Sequence, residues 1–278
     1  MIAPRRLQAA FLSAADRPAA KRTRFIQALR LIYQKSVVIV VLLLIWAVVP
    51  LCLKNNMFLP SLLDVLATLG QMITDGELWK HMSISLWRAG VGLGIATLIA
   101  IPTGIAVGWF PRVERYLDPL LQAMRNTSVL VILPLFILMF GVGELSKIVI
   151  IVWGCFFSQF INTIQGVKNL DPVLLLSAKS MGISTLSLFG KVVLPGSLPY
   201  IVAGFRMAAS HSLLVLVASE MIGANAGLGY MIMKYQQVFM VKKMYAGILV
   251  MVILGVVVNS VVVRIEKRLT LWQERPAG

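Results

Sequence analysis

Charge is scarce in this chain. Asp, Glu, Lys and Arg make up 13% of its 278 residues, where soluble domains carry about 25%. Histidine and cysteine are scarcer still. There are two of each: His81 and His211, Cys52 and Cys155. The cysteines form no metal or disulfide pattern, and both read as small apolar residues in or beside apolar runs. An intramembrane enzyme needs a paired nucleophile and base, or a metal cluster. Two histidines on separate segments, without spaced carboxylates, do not supply one. A phosphate-cradling loop is also missing: "GVGELSK" at 141–147 lacks the Gly-Lys-Ser/Thr ending. "GVGLG" at 90–94 lies inside an apolar run and is no dinucleotide loop. Gly90, Gly94, Gly104 and Gly108 read there as sites of close helix packing. Any energy for work must therefore come from a partner chain or an ion gradient.

Long uncharged runs are what the chain does have. Lys35 and Lys54 enclose 18 uncharged residues, Arg88 and Arg112 enclose 23, and Arg125 and Glu144 enclose 18. Lys147 and Lys168 enclose 20, as do Lys243 and Arg264. A spanning helix needs roughly 20 apolar residues. A sixth span near 199–222 is interrupted by Arg206, His211 and Glu220 and is placed on topology. Val- and Ile-rich stretches such as "VVIVVLLLIWAVV" favour strands in water. In lipid only helices or closed barrels satisfy the backbone. Barrel strands alternate apolar and polar residues, and these runs do not. The fold class is therefore all-α, a polytopic membrane protein of about six transmembrane helices.

The net charge of +15 does not indicate nucleic acid, because its distribution follows the helix ends. With the N-terminus placed in the cytosol, 19 of the 26 Lys and Arg residues fall on inner segments. That is the positive-inside bias, and it puts both termini in the cytosol. The first 35 residues have no short apolar region followed by a cleavage site, so they are not read as a signal peptide. They form a basic cytosolic tail with an amphipathic piece near "RFIQALRLIYQK"; the tail fixes orientation or binds anionic headgroups. The expected organisation is a tail at 1–35, a first span and outer segment at 36–83, a five-span core at 84–265 and a cytosolic tail at 266–278. Between the spans, 54–83 is an outer segment containing a surface helix, and 110–118 a short inner loop. Residues 141–147 form a tight outer turn, and 223–243 an outer, partly re-entrant segment.

The inner segment 168–198 is the most informative. Asp171 is a good N-cap and Pro172 suits the first helical position. Gly182 follows where a positive φ is needed. This predicts a helix near 172–181. Ser184 or Thr185 caps a second near 185–192, and Pro195 and Pro199 break the chain before the next span. Two short helices meeting at a glycine can dock into a groove on a soluble partner. An ordinary amphipathic loop lying on the bundle fits the same geometry.

"NLDPVLLLSAKSMGISTLSLFGKVVLPGSLPY" resembles the signature of binding-protein-dependent ABC permeases: Glu-Ala-Ala, three residues, Gly, nine residues, then aliphatic-x-Leu-Pro. Ala178, Gly182, Val192, Leu194 and Pro195 match; Leu176 stands for Glu and Ser177 for Ala. "LDPLLQAMRNTSVLVILPLFILMFGVGELSKI", "SLWRAGVGLGIATLIAIPTGIAVG", "ASEMIGANAGLGYMI" and "EKRLTLW" resemble the nitrate/sulfonate/taurine/bicarbonate group, over about residues 60–272. The resemblance implies a type I ABC importer permease fold with a cytosolic coupling helix, in the bacterial inner membrane. It implies a non-catalytic, multi-pass subunit that moves a small anionic solute by alternating access. Implied partners are a cytosolic ATPase dimer carrying ATP and Mg, a periplasmic or lipid-anchored solute-binding protein, and a second permease subunit forming a homodimer. The chain itself would bind no cofactor. The coupling loop would comprise Ser177, Ala178, Lys179, Gly182, Leu194 and Pro195. A self-contained secondary transporter is the alternative; it would show an inverted repeat with paired broken helices.

Polar residues at membrane depth are functional candidates. Ser158, Gln159 and Asn162 lie on one turn, with Ser158 and Asn162 sharing a face. His211 can offer a donor to an anion, with Ser210 and Ser212 beside it; Asn259 and Ser260 interrupt the last span. For each, bonding to a neighbouring helix competes with lining a pathway. Arg206 either snorkels to the inner surface or attracts an anion there. Glu220, 14 residues on and about 21 Å along a helix, cannot pair with it. Glu220 pairs with another helix, stabilises an outer gate or reaches water.

Overall fold

The computed structural model describes residues 58–270, together with 37, 40, 41 and 44–50. The chain divides into two units at Asp64/Val65. In the first, residues 44–50 are helical. Residues 37, 40 and 41 are helical too; the rest of the span expected over 36–53, the basic tail, its amphipathic piece and Cys52 lie outside the described residues.

The described remainder is all-α: α1 Leu62–Thr74, α2 Glu77–Trp109, α3 Pro111–Asn126, α4 Val129–Phe140 and α5 Glu144–Lys168. Then come α6 Pro172–Ser180, α7 Thr185–Leu188, a π-helical turn at Phe189–Val193, α8 Leu194–Met221, α9 Leu228–Gln237 and α10 Val241–Leu269. Among the described residues, four helical stretches are long and apolar enough to cross a membrane: α2, α5, the continuous Thr185–Met221 and α10. The pair α3–α4, bent by 94°, makes a fifth if it counts as one span.

The centre is α5, packed along its length between α2 and α8. A row of small residues makes this possible. Gly92, Ala96, Ala100, Gly104 and Gly108 recur at four-residue spacing down one face of α2, all buried. A Cβ on Gly92 would lie 2.5 Å from Ile151 Cγ2, and one on Gly104 2.8 Å from Thr163 Cβ. Backbones this close gain dispersion contacts that a larger side chain would forbid. The face is therefore the 92–108 row. Gly104 and Gly108 belong to it as expected, whereas Gly90 and Gly94 face open space.

Three expectations are corrected. The 110–118 loop is helix: Pro111 supplies a pre-set N-terminus and α3 runs to Asn126. The run between Arg125 and Glu144 holds only a 12-residue helix, about 18 Å long. It reaches spanning length only with α3. Pro195 and Pro199 do not break the chain, since helix runs on from Thr185 to Met221. A π turn absorbs the missing donor: the N–H of Leu194 reaches back to Phe189 O. Such local adjustments let spanning helices carry proline.

Candidate functional site

Two constellations stand at opposite ends of α5, with a cavity between them. The first is a buried charge cluster where α2, α5 and α8 meet the loop before α9. Because α2 starts at Glu77 rather than near Arg88, Arg88 lies three turns inside the helix and is 1% exposed. Its guanidinium makes a two-pronged contact with Glu144 on α5, Nε to Oε2 at 2.6 Å and Nη2 to Oε1 at 2.5 Å. Nη1 donates to Glu220 Oε1 on α8 at 2.8 Å and to Ala226 O at 2.6 Å. Glu220 also accepts from Ser85 Oγ at 2.8 Å and from the Gly229 N–H at 2.9 Å.

The same groups pin the loop. Ser85 Oγ accepts from the Leu228 N–H at 2.8 Å, and His81 Nδ1 accepts from the Gly227 N–H at 3.1 Å. Since Nδ1 accepts, the His81 ring carries its proton on Nε2. Gly227 has φ 121°, and a Cβ there would sit 2.2 Å from Glu220 Oε1. A buried carboxylate this well supplied with donors is held in place, whereas one deprived of its partners would be strongly destabilising. Of the three readings open for Glu220, the structure shows pairing with another helix. At the neighbouring end of α9, Tyr235 hydrogen-bonds Glu77, which Lys243 Nζ also approaches at 3.3 Å. Burial and then that carboxylate push the Tyr235 phenol above its usual range.

The second constellation is the knuckle. Asp171 Oδ1 accepts from the Val173 N–H at 2.8 Å, capping α6. Gly182 has φ 69°, the left-handed turn expected after the helix. Ser184 Oγ caps α7 through the Ser187 N–H. Ala178 is buried in a small core with Val167, Leu170, Leu188 and Val193. Trp109, the last residue of α2, packs against Phe189 with the rings tilted by 55° and their centroids 4.7 Å apart, and carries Lys179 Nζ 5.8 Å from its ring centroid. Ser177 and Gly182 are exposed, as are Val173, Leu174, Leu176, Met181 and Leu186. Leu194 and Pro195 stand at the start of α8.

Between the two lies a cavity of about 610 Å³, walled by α5, α8 and the α3–α4 bend, with Val129 at the start of α4. Its polar lining includes Arg125, Ser128, Ser158, Asn162 and His211; Trp153, Phe157, Met207 and Leu214 are among the apolar lining. Among the described residues no Asp or Glu lines it. Ser158 Oγ lies 2.8 Å from His211 Nδ1. With the hydroxyl donating, the free Nε2–H is available as a neutral donor. Asn162 Nδ2 donates to Ser158 O at 2.7 Å.

Sequence reasoning thus brought Ser158, Asn162 and His211 to one place. The other three candidates lie elsewhere. Gln159 is fully buried between helices, its Nε2 donating to Ile201 O. Arg206 pairs with Glu266 on α10 at 2.9 Å. Glu220 belongs to the charge cluster. Arg88, Glu144 and Arg125 went unrecognised as site residues. A signal was available for the first two: opposite charges flanking apolar runs at the same end of the bundle. No cluster of His, Cys, Asp and Glu able to hold a metal occurs among the described residues.

The chain is similar to known proteins. The family described as "Binding-protein-dependent transport system inner membrane component" matches residues 96–271. The putative aliphatic sulfonates transport permease protein SsuC of Bacillus subtilis is 36% identical, over 86% of this chain and 87% of that protein. The taurine transport system permease protein TauC of Escherichia coli is 35% identical, over 82% and 84%. A chain from an inward-facing structure of the MetNI methionine ABC transporter superposes with TM-score 0.58 at 17% identity, covering 70% of this chain and 98% of that one.

Proposed function

The chain belongs to the binding-protein-dependent transport system inner membrane component family, and from that premise we propose that it forms half of a pathway for a small organic anion of the sulfonate or taurine kind. It is an ABC importer permease with the type I fold; it catalyses no covalent step, and ATP is hydrolysed by a separate subunit. The observation that carries the proposed solute class is the cavity. Arg125 and His211 supply donors, no carboxylate lines it among the described residues, and Trp153, Phe157 and Leu214 offer an apolar wall for a short carbon chain.

The cavity also supports pairing with a second copy. His211 is exposed on α8, which is otherwise apolar enough to span, and Arg125 is exposed at the end of the charged helix α3, on the same cavity. Charged and polar groups at that depth face protein or water rather than hydrocarbon. A homodimer would enclose two such cavities in one pathway. The knuckle would face the cytosol, as the positive-inside bias of the sequence directs, with both termini on that side. Its exposed Leu176 and Met181 would enter a groove on the ATPase, which holds ATP and Mg. A solute-binding protein would deliver to the opposite end.

Reconstitution with the ATPase and binding protein in proteoliposomes tests this. Taurine or an alkanesulfonate should accumulate only with ATP inside the compartment that the knuckle faces. Accumulation by this chain alone would sink the reading.

A further inference from the structure

Resting on the permease reading above, we propose that the knuckle binds its ATPase by apolar contact alone, so that the groove receiving Leu176 is itself apolar and holds no cation there. The signature that this segment resembles has Glu where the chain has Leu176. The structure puts that departure on the outermost face of α6. Ala178 is the one buried residue of the helix. Val173, Leu176 and Ser180, at three- and four-residue spacing, stand on the side away from it, and 65% of Leu176 is exposed.

The polar groups of the knuckle are engaged within it. Asp171 accepts from the Val173 N–H, and Ser180 Oγ donates to Leu176 O at 3.0 Å. Ser184 Oγ accepts from the Ser187 N–H and donates to Ser187 Oγ at 3.1 Å. Lys179 is the only charged residue between Asp171 and Lys191, and its ammonium lies over Trp109. Ser177 and Thr185 add a hydroxyl each. What remains for a partner is carbon: Val173, Leu174, Leu176, Met181 and Leu186, all exposed.

This surface selects its occupant. An Arg or Lys set against Leu176 would lose water and gain no hydrogen bond, an uncompensated cost. A groove of apolar side chains gains from each carbon it covers. A lipid surface fits less well. An interfacial helix turns a Lys- and Arg-rich face to water, opposite its apolar face. Opposite Leu176, α6 instead carries Ala178, packed in the apolar core with Val167, Leu188 and Val193.

Salt distinguishes the two kinds of contact, because it screens ion pairs and leaves apolar burial in place. The test is co-purification of the full chain with its ATPase in detergent, in NaCl from about 0.1 M to about 1 M, where the screening length falls from about 10 Å to about 3 Å. The ATPase should be retained equally throughout. Leu176→Met should hold it as wild type does. Leu176→Glu should weaken the complex about tenfold or more, by burying an unpaired carboxylate, and should unfold at the wild-type temperature because the position is exposed. Release of the ATPase by 1 M NaCl would overturn the inference, as would a Leu176→Glu chain that binds as tightly as wild type. Protection of a Leu176→Cys thiol from a water-soluble maleimide in proteoliposomes without ATPase would also overturn it, in favour of a lipid contact. A wild-type chain that retains no ATPase at any salt fails differently, and takes the permease reading with it.

Discussion

The two ends of the bundle are built on opposite rules. At one end charge is buried and fully partnered: Arg88, Glu220, Ser85 and His81 bind three helices and a loop into one unit. At the other, the chain turns on Gly182 and presents Val173 and Leu176 to solvent on a helix of only nine residues, with Met181 exposed just past its end. The first end resists change because each buried polar group has a specific partner, and losing one costs several kcal/mol. The second is joined to the bundle by a small apolar core and by Trp109 between Lys179 and Phe189. On the proposed function it is the part that the ATPase would grip. Interior polarity here gives rigidity; exterior apolarity gives a handle.

The largest effect should come from breaking the rigid end. Glu220→Ala removes the acceptor for Ser85, Gly229 and Arg88 together and should cost about 3–5 kcal/mol, seen as lost expression or a collapsed thermal midpoint in detergent. Replacing a small residue in the shared centre comes next. Gly104→Val forces atoms into Thr163 and should destabilise by about 1–3 kcal/mol, again read from thermal unfolding. Charge on the handle should act differently: Met181→Asp alters stability by no more than about 0.5 kcal/mol yet prevents co-purification with the ATPase. His211→Ala should leave both ends intact and weaken solute dependence of transport about tenfold, the worth of one hydrogen bond to an anion. Smallest of all is Arg206→Gln. Its half-exposed pair with Glu266 is worth about 0–1 kcal/mol, so unfolding should barely shift.

The knuckle was legible because its determinants are local. Asp171, Pro172, Gly182 and Ser184 act within a few residues of themselves, and each adopts the cap or turn its chemistry favours. The spans α2, α5 and α10 were legible because charge-free length is a one-dimensional property. The rigid end was not. Counting uncharged residues makes Arg88 the border of a helix, whereas pairing with groups 56 and 132 positions away draws it inside. No local pattern encodes that pairing. The packing face of α2 was misassigned for a related reason. Gly90 and Gly94 satisfy the spacing, but only the 92–108 row continues for five small residues, and length of the row decides which face meets α5. Gln159 shows the limit at the cavity: it shares a turn with Ser158 but points into the α5–α8 contact, bonding Ile201 O.

The most direct measurement is ATP-driven uptake by a reconstituted Gly182→Asp transporter beside wild type. Gly182 holds the handle's turn at φ 69° and packs against nothing, so the membrane bundle should unfold at the wild-type temperature. The account predicts that uptake and ATPase association are lost while that unfolding temperature is kept. Wild-type uptake in this variant would contradict it.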